Sequence, residues 1–553
     1  MKRILCLSIA LLVFISSLCV SAYAADDSCG FAVATDLHYV HPLPNADDYV
    51  VAENFGSNIE GKKYQHESGF IIDEFLRQCA EDDGCDFVLL SGDLVTYGRD
   101  FVEDHYALAQ KFRDFEQSTG KQVYVINGNH DNGTGTFTDS AKFREVYYEF
   151  GYDKAFSVDE SCCSYAVNLN DKYGLIALDS CDEQYHLTCG VDYKRVDWVR
   201  KQAKTITDSG RYPILIMHHN LLEHMPLELI IQDKYIVPFP RTYASLFADW
   251  GIKLVFTGHT HNADAVSYTS PSSNVIYDFC SAAISQYPLQ YRQFSLTDKA
   301  IKYEMKTVNR IDTDALSSVV SGYSEERLNA MATDFPAFAA EKQKRENIDD
   351  IKEMVSAQGL GISESSPIYG FIDDSCKAVN NLFDMPLYGE NSVQELAKEY
   401  GVNIPYSNYS TVWDMAGDVS LNFSAGNKIY GANSVEAKIA LGAAKVALRG
   451  IASGKTDSFL SSAADAVLSK NAGVNEKIDS FGISTPSERF AAAVISVVIE
   501  AFGEDNDGVN NISGTIPGYG VQANGFSSVC GLIVSAYSRF IMYINIIIGA
   551  LVS

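Results

Sequence analysis

At 553 residues, 46% of them hydrophobic, the chain exceeds what one core fills and predicts two or more domains. Its formal charge of -28, from 43 basic and 71 acidic residues, argues against an extended nucleic-acid surface held by counterion release. A phosphorylated ligand therefore needs a local positive site, which bound metal ions supply, being the largest local charges where they sit.

Residues 1–24 (MKRILCLSIALLVFISSLCVSAYA) open with Lys2 and Arg3, continue apolar and end in small residues flanking Tyr23. This pattern predicts a secretory signal cleaved after Ala24, and hence a secreted or cell-surface protein. Cleavage removes Lys2 and Arg3 and takes the charge from -28 to -30. Leu18 before Cys19 argues against a lipoprotein. Ten of the 12 cysteines remain, an even number compatible with disulfides in an exported protein and equally with free buried thiols. Cys162 and Cys163 are adjacent, Cys181 and Cys189 bracket a short polar loop, and no CxxC pair marks a zinc knuckle.

Along the chain, five apolar runs read as buried strands that break at Gly, Thr or Asn and end in metal-ligating residue types: FAVATDLH (Phe31 to His38), DFVLLSGD (Asp86 to Asp93), QVYVINGNHD (Gln122 to Asp131), RYPILIMHH (Arg211 to His219) and IKLVFTGHTH (Ile252 to His261). The ends of such strands gather at the carboxyl edge of a sheet, where catalytic crevices form in open α/β folds. Residues 39–66 are polar and turn-rich and predict a loop over the site mouth. Helical spacing over 69–80 and 102–115 predicts α layers between strands. Residues 164–180 predict two further strands, and 274–279 and 291–296 predict more.

Past Asp312 the texture changes. Residues 313–357, 393–400, 435–449, 456–470 and 486–502 predict helices, strand-like runs nearly vanish, and all 11 histidines lie before this point, between His38 and His261. The expected organisation is a signal (1–24), a catalytic domain (25–310) and a helical, non-catalytic region (311–553), with two subdomains an open alternative for the last. Residues 529–552 are apolar, but Arg539 near their middle and Asn545 favour a packed terminal helix over a membrane span.

The order DxH, GD, GNHD, strand-end His and GHTH resembles the calcineurin-like metallophosphoesterase superfamily, over roughly residues 29–305. The resemblance implies a four-layered α/β/β/α sandwich and two transition-metal ions. Mixed Asp, Asn and His ligation suits Mn, Fe or Zn. Carried over residue by residue, it implies that Asp36, His38 and His261 hold one ion, that Asn129, His218 and His259 hold the other, and that Asp93 bridges them. Hydrolysis by a metal-bridging hydroxide follows, with His130 as general acid and Asp131 as the orienter of its ring. His219 and His224 are weaker, substrate-facing candidates; His219 stays open between that role, a support behind the ligands and a histidine satisfied by backbone. His41, His66, His105 and His186 are expected in loops or on the surface.

The segment SGDLVTYGRD carries Thr96, Tyr97 and Gly98 where the protein Ser/Thr phosphatases carry Asp, Arg and Gly in GDxVDRG. With DLHYV, GNHDN, MHHNL and GHTHN it is more similar to the class III cyclic-nucleotide phosphodiesterases, including exported bacterial members with a helical C-terminal domain. The expected substrate is a small phosphodiester or nucleotide, cyclic nucleotides first. The alternative is a phosphomonoesterase or a phospholipid or nucleotide phosphoesterase.

Overall fold

The computed structural model describes residues 28–41, 62–182, 184–225, 228, 234–359, 363–365, 369–399, 401, 403–431, 433–451, 505 and 508–521. Residues 1–24, the helices expected over 456–470 and 486–502, the apolar stretch 529–552 and most of the expected mouth loop lie outside them. Among the described residues no helix is long and apolar enough to cross a membrane.

The strands are β1 (Cys29–Ala34), β2 (Phe87–Ser91), β3 (Gln122–Ile126), β4 (Ala155–Val158), β5 (Tyr165–Asn168), β6 (Tyr173–Ala177), β7 (Tyr212–Ile216), β8 (Leu254–Thr257), β9 (Asp264–Thr269), β10 (Val275–Cys280), β11 (Gln290–Leu296), β12 (Ala300–Thr307) and β13 (Ser513–Pro517). They form two sheets, ordered β13-β12-β11-β1-β2-β3 and β4-β5-β6-β7-β8-β10-β9. In the first, β1, β2 and β3 are parallel and end at the sheet's edge on β3, with antiparallel strands on the other side only; in the second, parallel β6, β7, β8 and β10 are flanked by antiparallel strands. The five ligand-bearing runs are β1, β2, β3, β7 and β8, all within the parallel stretches. Their carboxyl ends therefore meet at one edge shared by both sheets.

Two-residue periodicity sorts the second sheet's side chains. Ile214, Ile216, Leu254 and Phe256 join the core shared with the first sheet, whereas Leu215 and Val255 point to the other face. There they meet Val196, Val199, Ala203 and Ile206 of α4 (Tyr193–Asp208) and Phe247 of α5 (Pro240–Asp249). Between the sheets, Phe256 packs edge-on against Phe31 (5.7 Å) and Phe294 (4.8 Å). Each fully buried ring or branched chain of this kind contributes about 1.5–3 kcal/mol. On the first sheet's outer side are α1 (Ser68–Glu81) and α2 (Val102–Thr119), with Phe75 of α1 against Tyr291 of β11 at 4.9 Å. A short helix, α3 (Ser140–Val146), follows β3. The result is the expected mixed α/β arrangement of two sheets inside helices.

Among the described residues beyond β12 the chain is mainly helical: α6 (Thr313–Val319), α7 (Glu325–Thr333), α8 (Phe335–Met354), α9 (Tyr369–Asp384), α10 (Val393–Glu399), α11 (Val412–Ser424) and α12 (Val435–Ile451). The stretch expected as helix over 313–357 is three helices, because Ser324 and Asp334 cap the second and third through their side chains and Pro336 sits in a first turn. A separate core of Leu387, Val393, Ile404, Met415, Ile439 and Val446 holds α10, α11 and α12 together. One element departs from the helical expectation. β13 pairs antiparallel with β12 from Ala300↔Pro517 to Glu304↔Ser513, so the end of the described chain extends the first sheet. A period-two pattern of five residues, SGTIP, is too short to be read against its polar surroundings.

Candidate metal centre

Each ligand-bearing strand gives way to a loop whose backbone the neighbouring loop clamps. Asp36 N donates to Gly92 O, His38 N to Asp93 O and Gly258 N to His218 O, at 3.0, 3.0 and 2.9 Å. Asp36, His38, Asp93, His259 and His261 all have positive φ, from 45° to 68°, a region non-glycine residues rarely enter. Such strain persists only where the surroundings over-determine it, and it concentrates at functional sites. The glycines of the motifs have a separate cause. A Cβ on Gly128 would run into Asp93, and one on Gly258 into Thr35 and Asp36, so GN and GH permit backbone to approach the carboxylates.

The side chains converge as two groups that share one residue. Asp36, His38, Asp93 and His261 form the first, and Asp93, His218 and His259 the second, each with ligand atoms within 4.8 Å of one another. His261 Nε2 is 3.1 Å from Asp36 Oδ1, His38 Nε2 is 3.7 Å and His218 Nε2 3.3 Å from Asp93 Oδ2. Asn129 Oδ1 joins the second group 3.1 Å from His218 Nε2. All seven residues expected as ligands are thus in one place, six of them buried and His261 nearly so.

The donor set fits two cations. His38 Nε2 and His261 Nε2 face each other at 3.2 Å, as do His259 Nδ1 and His218 Nε2 at 3.1 Å, so ring lone pairs converge where only a proton or a cation can sit. Asp36 Oδ1 is buried and accepts no hydrogen bond. Although burial opposes their ionisation, His261 and His38 hold the Asp36 carboxyl well below the usual carboxylate range, and His218 and His130 do so for Asp93. Burial brings the His38 imidazole down to about 4 and holds His259 well below its ordinary value. His218 goes up to about 9, the pull of Asp93 and Asp36 outweighing burial. Carboxylates ionised and imidazoles neutral are the forms that ligate, and the proton on His218 is the one that metal binding would displace.

His130 lies beside this cluster. Its Nδ1 is 2.8 Å from Thr96 O and its Nε2 is 3.9 Å from Asp93 Oδ2. A carbonyl accepts only, so Nδ1 carries a proton and Nε2 is the atom that faces the site. Contrary to the expectation from the sequence, Asp131 does not orient this ring, whose Nδ1 is held by Thr96 O. Its carboxylate is buried and accepts from the backbone nitrogens of Leu94, Val95 and Gly128, which anchors the GD loop to the GNHD loop.

Two further expectations are corrected. His224 has both ring nitrogens engaged, Nδ1 at 2.9 Å from Asp264 and Nε2 at 3.2 Å from Asp278, so no edge is left for a substrate. His219 is fully buried, with Nδ1 2.9 Å from Ser180 Oγ and its ring 4.5 Å from that of His259. It is a support behind a ligand. His105, expected in a loop or on the surface, is also fully buried and bonds Asp131 O and Tyr147 OH; His66 is likewise buried. Two residues not expected at the site adjoin the cluster: Lys63, which the sequence did not single out, and His186, expected only in a loop or on the surface. Buried Lys63 lies 3.3 Å from His38 Nδ1, on the side of the ring away from the ligand nitrogen. The His186 ring is 4.9 Å from that of His130. Neither sits at a strand end, which was the only available signal.

The family model described as calcineurin-like phosphoesterase matches residues 30–263. No curated protein matches the chain. Among solved structures, a dimetal phosphatase from Danio rerio is similar at 10% identity over 50% of this chain and 96% of that one, with a TM-score of 0.35. A conserved uncharacterized protein, described as a predicted phosphoesterase, from Streptococcus pneumoniae TIGR4 is similar at 12% identity over 51% and 92%, with a TM-score of 0.22. A 5'-nucleotidase from Candida albicans SC5314 is similar at 9% identity over 57% of each chain, with a TM-score of 0.29.

Proposed function

We propose that the chain, whose residues 30–263 match the calcineurin-like phosphoesterase family model, is a phosphoric ester hydrolase, and more narrowly an exported, dinuclear phosphodiesterase whose first substrate class is the cyclic nucleotides. Asp36, His38 and His261 would hold one ion and Asn129, His218 and His259 the other, with Asp93 serving both; Mn, Fe or Zn suits this mixture of donors. When bound, such a pair supplies an activated water and neutralises charge on the phosphoryl oxygens. Export rests on the signal-like residues 1–24.

The observation that carries the diesterase reading is His130. The Thr96 carbonyl fixes the proton on Nδ1, which leaves Nε2 beside the cluster as the atom that gives a proton to a departing oxygen. An alkoxide such as a ribose oxygen requires that proton as its bond breaks. In the free site burial holds His130 well below the ordinary imidazole range against the pull of Asp93. An anionic phosphate beside the ring favours the imidazolium, the form that general acid catalysis by Nε2 requires. Lys63 lies behind His38 and adds positive charge to an otherwise acidic chain.

The test is hydrolysis by the metal-reconstituted mature protein of bis-p-nitrophenyl phosphate, p-nitrophenyl phosphate, cyclic AMP and a glycerophosphodiester. The reading expects both alkyl or aryl diesters and cyclic AMP to exceed the monoester in kcat/KM. Preference for p-nitrophenyl phosphate would replace it by the phosphomonoesterase alternative.

A further inference from the structure

Cys181 and Cys189 face each other across an antiparallel bridge. The hydrogen bonds around them belong to their neighbours: Gly190 N donates to Ser180 O at 2.8 Å and Asp182 N to Thr188 O at 3.0 Å. The cysteines are therefore a non-hydrogen-bonded pair, the type in which opposed Cα atoms approach to about 4.5 Å and side chains share one face. That separation lies within the range a disulfide spans, about 4.4–6.8 Å. Both residues are buried and both are free thiols, so the backbone pairing is what brings them together.

The pair stands at the base of the loop that carries His186. Below it the base is rigid: Asp179 Oδ1 accepts from Cys181 N at 2.9 Å, Arg195 donates to Cys181 O at 2.6 Å, and Cys189 N donates to Lys234 O at 3.1 Å. Above it Gln184, Tyr185, His186 and Leu187 are exposed. His186 Nε2 is nevertheless 3.4 Å from Asn129 Nδ2, and its ring meets that of His130 edge-on. An imidazole nitrogen that accepts from the amide Nδ2 turns Asn129 Oδ1 toward His218.

We propose that Cys181 and Cys189 form a disulfide that clasps this loop at its base, and that the clasp holds His186 as a positioning residue for Asn129 and for the substrate beside His130. The oxidant is a small-molecule or protein disulfide. One cysteine thiolate attacks its S–S bond, forms a mixed disulfide and expels one thiolate. The second cysteine thiolate attacks the protein sulfur of the mixed disulfide, closes the Cys181–Cys189 bond and expels the other. Both leaving thiolates take up the protons the cysteines lost, so one reagent disulfide becomes two thiols. Burial pushes both thiols up, Cys189 to about 12, which makes thiolate scarce once the chain is folded and places closure before the hairpin is buried. A short covalent ring then restricts an exposed loop that only hydrogen bonds otherwise hold at its base.

The cross-link is independent of the catalytic reading; the role of His186 rests on it. The tryptic peptide 173–194 contains both cysteines, so the link reads out directly in the full chain folded in a glutathione redox buffer. Without reduction, this peptide should be two hydrogens lighter than the dithiol and should resist iodoacetamide. Alkylation of both cysteines, or a link from either to Cys162, overturns the clasp. In kinetics, His186→Ala, the Cys181→Ala/Cys189→Ala double variant and wild-type protein folded under reductant should each lose roughly tenfold in kcat/KM on bis-p-nitrophenyl phosphate, carried by KM. Metal content should stay at the wild-type level and His186→Gln, which keeps an acceptor, should recover most of the loss. A fall in metal content, or no change in KM in any of the three, overturns the positioning role. Wild-type protein without phosphoesterase activity removes that role together with the catalytic reading and leaves the mass result standing.

Discussion

Lys428 Nζ lies 2.7 Å from Asp264 Oδ1, which ties the segment after α11 to the first residue of β9, directly behind the GHTH loop. The same ammonium donates to His224 O at 3.0 Å. Ala263 N donates to Ser424 O, and Asn511, just before β13, accepts from Ala265 N. The helical region therefore braces one wall of the metal centre while contributing no ligand of its own among the described residues.

Lys428→Met should destabilise the protein by about 3 kcal/mol, the low end for breaking a buried ion pair, because His224 still faces the stranded carboxylate. Urea melts of the full chain check this. An unchanged midpoint would mean that water reaches Asp264 and the brace is not energetic.

The same carboxylates set a pH dependence. Burial alone would lower His224, but Asp278 and Asp264 raise its imidazole to about 10 from an ordinary 6.5. A group raised on folding stabilises fully below its unfolded value and loses that contribution as pH climbs through its folded value. The stability advantage of wild type over His224→Gln should thus be greatest below pH 6.5 and shrink toward pH 10. Melts of both proteins across that range decide; a gap that widens with pH would contradict a charged His224.

Asp93 belongs to both ligand groups and His261 to one. Asp93→Asn should lower occupancy at both sites, and His261→Ala chiefly at one. Metal analysis of the purified variants is the measurement, and two ions per chain with near-normal turnover in Asp93→Asn would remove the bridging assignment.

His130→Ala should lose about 10²- to 10⁴-fold on an alkyl diester and much less on bis-p-nitrophenyl phosphate, whose leaving group departs as an anion. Metal content should not change. Equal losses on both substrates would assign His130 to phosphate positioning instead.

A chain ending near Asn309 retains every expected ligand but lacks β13, Lys428 and Asn511. It should bind metal less tightly than the full chain and aggregate, since the edge of β12 that β13 covers becomes free. A soluble, monomeric truncation with full metal content would show that the brace is dispensable.

Much of the metal centre was already legible in the amino-acid sequence. A ligand at the end of a buried strand is a local pattern, and five such patterns in order carry the family resemblance that implies Asp36, His38, Asp93, Asn129, His218, His259 and His261 without any knowledge of contacts. Most of the parallel strands of both sheets follow from the same apolar runs. What tertiary structure alone decided are relationships between groups distant in the chain. Asp131 and His224 carry side-chain types that suit chemistry, and only the backbone nitrogens around one and the carboxylates around the other show that they brace loops. Lys63 and His186 lie in polar stretches without periodicity, and they reach the site because folding brings them there. β13 is the clearest case. Five residues carry too little pattern to be seen as a strand, and the partner that makes them one, β12, lies some two hundred residues earlier in the chain.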